Sequence, residues 1–131
     1  MGFASLSFVA IVVAALLASS FSFLWHRIFD ENWMTARGYS GRPKIKPGPL
    51  AIVFVAELVL AAVLAGLTMH IGGITLWNAF VNAAIVWAGV VLTTMVVDHS
   101  YEARPRALTF VNAGHWAGVL LIMTAIIGLF G

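Results

Sequence analysis

The chain has 131 residues, of which 62% are hydrophobic and only 9% are charged, and its formal net charge is +2. A soluble domain carries about a quarter charged residues, so this composition excludes a soluble globular protein, and the excess of apolar residues excludes a disordered one. The sequence contains no cysteine, which excludes disulfides, thiolate nucleophiles and thiolate metal sites.

Four apolar segments are long enough to cross a bilayer: 5–25, 50–71, 76–97 and 107–130. Crossing about 30 Å of hydrocarbon takes roughly 20 apolar residues at a rise of about 1.5 Å each. The short turn at 72–75 makes the second and third spans antiparallel neighbours. The pattern predicts an all-α polytopic membrane protein, with residues 1–131 forming one antiparallel bundle of four transmembrane helices.

The seven Lys and Arg residues indicate how the chain is oriented, because all of them lie in two loops, 26–49 and 98–106. Basic loops stay in the cytoplasm of membrane proteins. We therefore expect a multi-pass protein of a bacterial inner membrane, with both of these loops cytoplasmic and both termini periplasmic.

The first loop carries the signals of a short helix lying in the headgroup layer. Asp30 is suited to cap its start and Gly38 to end it. Tryptophan favours the membrane–water interface. We expect three tryptophans to serve as interfacial anchors: Trp25, Trp33 and Trp77.

Glu57 is the one charged side chain that falls within a predicted span. A carboxylate in hydrocarbon is costly, so it must be protonated, be partnered, or face protein or water. Helical spacing places it on one face with Ala61, Ala65 and Thr68. A face of small residues is typical of helix contacts in membranes.

Comparable stripes occur on the first and third spans. The first span repeats small residues every four positions, and the third aligns polar and small ones at helical spacing. Both stripes predict helix–helix contacts. They consist of Ala10, Ala14, Ala18 and Ser22 in the first span, and of Asn78, Asn82, Gly89 and Thr93 in the third.

Depth along the spans predicts one intramembrane polar cluster in the cytoplasmic half. Its five candidate members come from all four helices: Glu57, Asn112, His115, Thr93 and Ser22. Three further residues are expected at its rim: His26, Asp98 and His99. Glu57 is then a structural acid bonded to Asn112, His115 or water, a group that moves protons or cations, or a contact to another subunit.

No catalytic residue, metal site or cofactor is predicted. Axial haem ligation by two histidines needs a second histidine at the depth of His115, and none is present. The spans carry no repeated Glu-x-x-His motif. Trp87 and Trp116 fall near the middle of their spans rather than at a membrane interface. At that depth they either pack internally or contact a partner protein, pigment or quinone.

An aromatic motif follows the first span: Phe23-Leu24-Trp25, then Phe29, then Trp33 through Gly38. On this motif the chain resembles the small bacterial four-span membrane proteins classed as domain of unknown function 1761. It departs at His26, where that family's pattern has Tyr. The resemblance covers most of the chain and implies fold and membrane location, but no activity.

These observations predict a non-enzymatic scaffold or accessory subunit of a larger membrane complex or homo-oligomer. The expected partners are the lipid bilayer and other membrane subunits or further copies of the chain, and not nucleic acid. The alternative is a proton-coupled small carrier or channel that uses Glu57 with His115. A third class is a membrane-embedded enzyme, or a subunit that contacts a pigment or quinone.

Overall fold

The computed structural model describes residues 7–29 and 47–131, and the regular structure of both segments is entirely helical. Four helices are long and apolar enough to cross a membrane: α1 (Phe8–Ile28), α2 (Pro47–His70), α3 (Leu76–Tyr101) and α4 (Arg106–Phe130). The prediction of an all-α protein with four candidate spans is confirmed. Each helix begins and ends within four residues of its predicted span limits.

Short polar side chains define where two of the helices begin. Ser7 precedes α1, and its hydroxyl accepts a hydrogen bond from the backbone N–H of Ala10 at 3.2 Å. Thr75 caps α3 in the same way, accepting from the N–H of Asn78 at 3.1 Å. These bonds satisfy N–H groups that have no partner within the helix, as caps do.

The turn between α2 and α3 depends on Gly72, whose φ of +94° is strained for residues with a side chain. The Asn78 side chain folds back over this turn and donates to the carbonyl oxygens of Gly72 and Gly73, each at 2.9 Å. The turn therefore joins the two helices as the antiparallel pair expected from its length.

The four helices contact one another in the order α1, α2, α3, α4 around the bundle, and α4 also returns to contact α1. The small-residue stripes predicted on α1 and α2 are their buried faces. Ala14, Ala18 and Ala61 are fully buried in the core, where Met123 and Ile127 of α4 pack against them. Small side chains allow close helix approach, and dispersion contacts between helices then stabilise the bundle.

The third helix is interrupted by one π-helical turn, Trp87–Val91, between α-helical segments Leu76–Val86 and Leu92–Tyr101. A π turn inserts one extra residue, which rotates every later side chain by about 100° around the axis. The stripe predicted on this span consequently ends at Asn82, which is buried, while Gly89 and Thr93 are exposed. The prediction that all four lie on one inward face was wrong for the second half.

The interfacial features of the sequence are described in part. The helix predicted in the first loop, with Asp30, Trp33 and Gly38, lies outside the described residues. Trp77 lies at the start of α3 with 70% of its surface exposed, and its role as an interfacial anchor stays a prediction.

Aromatic rings of α1 fill spaces left by glycines of α4. The Phe21 ring lies over Gly118, so a Cβ atom built there would be 2.3 Å from Phe21 Cζ. One turn away, Trp25 lies over Gly114, where the corresponding distance is 3.0 Å. Because these two positions have no side chain, the aromatic rings of α1 can lie directly against the backbone of α4.

We predict that Gly118→Ala destabilises the protein by about 1–3 kcal/mol, because the Phe21 ring must leave its packed position. Gly48→Ala is the matched control, since a Cβ there has no neighbour within 4 Å. Thermal unfolding in detergent, followed by circular dichroism, measures both. Equal melting temperatures for Gly118→Ala and Gly48→Ala would contradict the predicted contact.

Candidate functional site

Glu57 is buried at the contact between α2 and α1, with 2% of its surface exposed. Both of its oxygens accept hydrogen bonds from serines of α1. Ser19 Oγ donates to Oε2 at 2.6 Å, and Ser22 Oγ donates to Oε1 at 2.6 Å. The acid that hydrocarbon disfavours is thus partnered by two hydroxyl groups of the neighbouring helix.

His115 brings α4 into the same network. Its Nε2 atom lies 2.7 Å from Ser22 Oγ, and 5% of the residue is exposed. The imidazole stacks on the Phe21 ring with centroids 6.2 Å apart, and the Trp116 ring meets it edge-on at 4.7 Å. Three helices therefore meet at one hydroxyl group, that of Ser22.

The direction of these bonds follows from the number of protons available. A serine hydroxyl has one proton, and Ser22 gives it to Glu57. His115 Nε2 must then carry a proton and donate to Ser22, which fixes the tautomer that accompanies an ionised Glu57. If Glu57 is protonated, the same atoms support the reverse order, in which Glu57 donates to Ser22 and Ser22 donates to His115.

The network lies in the half of the bundle that contains the ends joined by the first loop. Ser22 is six residues before the end of α1, and His115 is nine residues after the start of α4. At about 1.5 Å per residue these positions lie roughly 9 and 14 Å along the helices. His26 lies between the network and the end of α1, with its ring centroid 5.0 Å from that of His115.

Two tryptophans donate hydrogen bonds to the backbone of α4. Trp25 Nε1 donates to the carbonyl oxygen of Val111 at 3.1 Å, and Trp87 Nε1 donates to that of Ala113 at 2.9 Å. A helical carbonyl has a second lone pair that can accept such a bond. Trp25, expected as an interfacial anchor, is half-buried, and Trp87 joins α3 to α4.

Several residues predicted for the cluster or its rim lie elsewhere. Thr93 is exposed and donates to the backbone oxygen of Gly89, because the π turn rotates it away. Asn112 is half-buried on α4 but is not part of the Glu57 network, and Asp98 is exposed. His99 of α3 contacts Thr109 of α4 rather than the Glu57 network, and its Nδ1 atom lies 2.6 Å from Thr109 Oγ1.

Ser19 is the member of the network that sequence reasoning missed. It lies three residues before Ser22, a spacing that puts both hydroxyl groups on one helix face. Two hydroxyl groups on one face of a neighbouring span are suitable partners for a buried acid, and this pattern was the signal that could have identified Ser19.

The chemistry open to the site follows from the order of its groups. In a hydrolytic triad the histidine lies between the acid and the serine and removes the serine proton. Here Ser22 lies between Glu57 and His115, and its proton is directed to the carboxylate. This order supports hydrogen bonding and proton exchange rather than attack by the serine. Within residues 7–29 and 47–131, no group of three His, Asp or Glu side chains is placed to hold a metal ion.

Comparison with protein families gives a match between residues 9–128 and a family described as "Protein of unknown function (DUF1761)". The matched region contains nearly all of the four helices. It confirms the family resemblance predicted from the aromatic motif around the end of the first span. Comparisons with curated proteins and with solved structures gave no match.

We predict that Ser22→Ala lowers the free energy of unfolding by about 1–3 kcal/mol, because it removes a donor to a buried carboxylate and the partner of His115. Ser19→Ala should cost less, since it removes one bond only. Ser20→Ala is the matched control: Ser20 is on the same helix, is exposed, and donates to the backbone oxygen of Leu16. Unfolding in detergent with added denaturant ranks the three variants, and a Ser20→Ala effect as large as that of Ser22→Ala would contradict the network.

Proposed function

Because the chain belongs to the DUF1761 family, whose description assigns no activity, we propose a role from the geometry of its polar groups. The protein is a small multi-pass membrane protein that acts as a non-enzymatic scaffold or accessory subunit, either of a larger membrane complex or of a homo-oligomer.

The observation that carries this proposal is the enclosure of Glu57. Both carboxylate oxygens are occupied by serine hydroxyl groups, and the residue is 2% exposed. An acid that binds substrate must be reachable from outside the bundle, whereas Glu57 is enclosed between helices and hydrogen-bonded to α1. The enclosed arrangement supports a structural role for Glu57 and, with it, a structural role for the chain.

The exposure of the third helix supports association with other subunits. Of the four helices it is the least buried, and its segment Leu92–Tyr101 contributes no buried residue. In a bilayer this surface contacts either lipid or another transmembrane helix. A helix that contributes little to its own bundle is suited to contact a second one.

We further propose a bacterial inner membrane location with both termini periplasmic and the loops 26–49 and 98–106 cytoplasmic. The support is the placement of all seven Lys and Arg residues in those two loops, with none in the α2–α3 turn or at either terminus. On this orientation the Glu57 network lies in the cytoplasmic half of the membrane.

The scaffold role predicts association that survives gentle extraction. Native mass spectrometry of the full chain, purified in mild detergent from its own membrane, should detect a discrete homo-oligomer or stoichiometric co-purifying subunits. A monomer without partners under these conditions would count against the proposal.

A second candidate is a proton-coupled small carrier or channel, and one observation favours it. Glu57, Ser22, His115 and His26 form a continuous series of groups leading toward the end of α1. The Glu57–Ser22–His115 bonds can run in either direction, which is what transfer of a proton through a hydroxyl group requires. A monomer of four helices is small for alternating access, so this role requires a dimer.

This candidate predicts that Glu57→Gln abolishes pH-dependent proton flux in proteoliposomes. The change preserves shape and removes the titrating group, so circular dichroism should show the helical content unchanged. Ser20→Ala serves as the control and should retain full flux. Undiminished flux in Glu57→Gln would exclude the carrier role, and absence of flux in the unsubstituted protein would do so as well.

A further inference from the structure

A cleft of about 680 Å³ opens between α3 and α4 near the turn that joins them. It is distinct from the Glu57 network, which lies between α1, α2 and α4. Its inner part is lined by apolar side chains, among them Leu92, Val96 and Phe110. Its outer part is lined by Arg104 and Arg106. The cleft is therefore amphipathic, with its cations at one end.

The π turn accounts for the position of the cleft. Up to Val86 the third helix packs closely on α4, whereas Leu92–Tyr101, after the π turn, has no buried residue and touches α4 less. The hydrogen bond from Trp87 to the Ala113 carbonyl holds the two helices together where this separation starts. Ala113 also lines the cleft, so the bond lies at its inner end.

The charges at the mouth are arranged for an anion. Arg104 and Arg106 line the cleft, while the neighbouring carboxylates of Asp98 and Glu102 do not. Glu102 accepts from Arg104 Nε at 3.0 Å, and this exposed pair is readily exchanged for a stronger anionic partner. Arg106 forms no ion pair with any residue of the described segments. The contact between His99 and Thr109 spans the two helices beside the arginines.

The depth of the cleft matches the dimensions of a lipid. Leu92 is nine residues before Tyr101, the last residue of α3, which places it about 14 Å along the helix from the arginine end. The cleft therefore extends from the headgroup layer into the hydrocarbon. Phe110, 77% exposed, and Val96, 46% exposed, continue it onto the lipid-facing surface.

We propose that this cleft binds one anionic phospholipid. The headgroup phosphate contacts the guanidinium groups of Arg104 and Arg106, which favour phosphate through charge-assisted hydrogen bonds. One acyl chain lies along Leu92, Val96 and Phe110. A membrane lipid is the occupant because a soluble phosphate compound would leave the apolar part of the cleft without a ligand.

The test is lipid titration of the full-length protein in detergent, followed by native mass spectrometry. The probes are phosphatidylglycerol and phosphatidylcholine with identical acyl chains, and glycerol phosphate as the soluble headgroup. We expect one tightly retained phosphatidylglycerol per chain, bound at least tenfold more tightly than phosphatidylcholine. In Arg104→Gln/Arg106→Gln the affinity for phosphatidylglycerol should fall by about 25-fold, since each cation near an anionic headgroup contributes about fivefold.

Two further variants separate a built site from general attraction. Arg27→Gln removes a cation at the end of α1, where the guanidinium lies over the Phe23 ring and outside the cleft. It should bind phosphatidylglycerol within twofold of the unsubstituted chain. Val96→Trp fills the apolar part of the cleft without changing the charge and should weaken the binding of phosphatidylglycerol. This variant tests the site even if the double arginine variant fails to fold.

Three results would overturn the proposal. Equal retention of phosphatidylglycerol and phosphatidylcholine would mean that the arginines do not select the headgroup. A loss in Arg27→Gln as large as that in Arg104→Gln/Arg106→Gln would indicate diffuse charge rather than a site. Binding of glycerol phosphate as tight as that of phosphatidylglycerol, unaffected by Val96→Trp, would identify a soluble phosphate as the ligand.

Discussion

The burial of one carboxylate constrains how three of the four helices are arranged. Glu57 requires partners wherever hydrocarbon surrounds it, and α1 supplies two hydroxyl groups at 2.6 Å. Ser22 in turn contacts His115 of α4. A slide of α1 by one turn, about 5.4 Å, would break all of these bonds and leave a buried acid unpartnered. The hydrogen bonds therefore set the register of α1 against both α2 and α4.

Packing of rings against glycines sets the separation of α1 and α4 once that register is established. Phe21 lies over Gly118 and also stacks on His115, so the same ring fills a space between helices and covers the polar network. The third helix is attached through the packing of its first half on α4, through its turn with α2 and through the indole of Trp87. Its second half contributes no buried residue, and it carries both the cleft that we assign to a phospholipid and the exposed surface that we assign to contact with a second subunit.

Sequence periodicity predicted the buried faces of α1 and α2 because regular helices repeat their side-chain directions. The alanines at positions 10, 14 and 18 and the face that holds Glu57 are buried as that repeat requires. The same reasoning failed for Thr93, since a single π turn between Trp87 and Val91 breaks the repeat. It also missed Ser19, because the stripe on α1 repeats every four residues, whereas Ser19 and Ser22 are three residues apart.

Composition and hydropathy were sufficient to establish four candidate membrane spans and one acid out of place, because the cost of moving each residue into hydrocarbon depends mainly on its own chemistry. The aromatic motif was sufficient to indicate the family. The partners of the acid could not be obtained in this way. Which hydroxyl reaches Glu57, and that Ser22 rather than Glu57 contacts His115, depend on the rotation and register of helices distant in sequence. A shift of one residue in the register of a helix rotates a side chain by about 100° around the helix axis. These contacts are therefore determined only by the way the helices pack together.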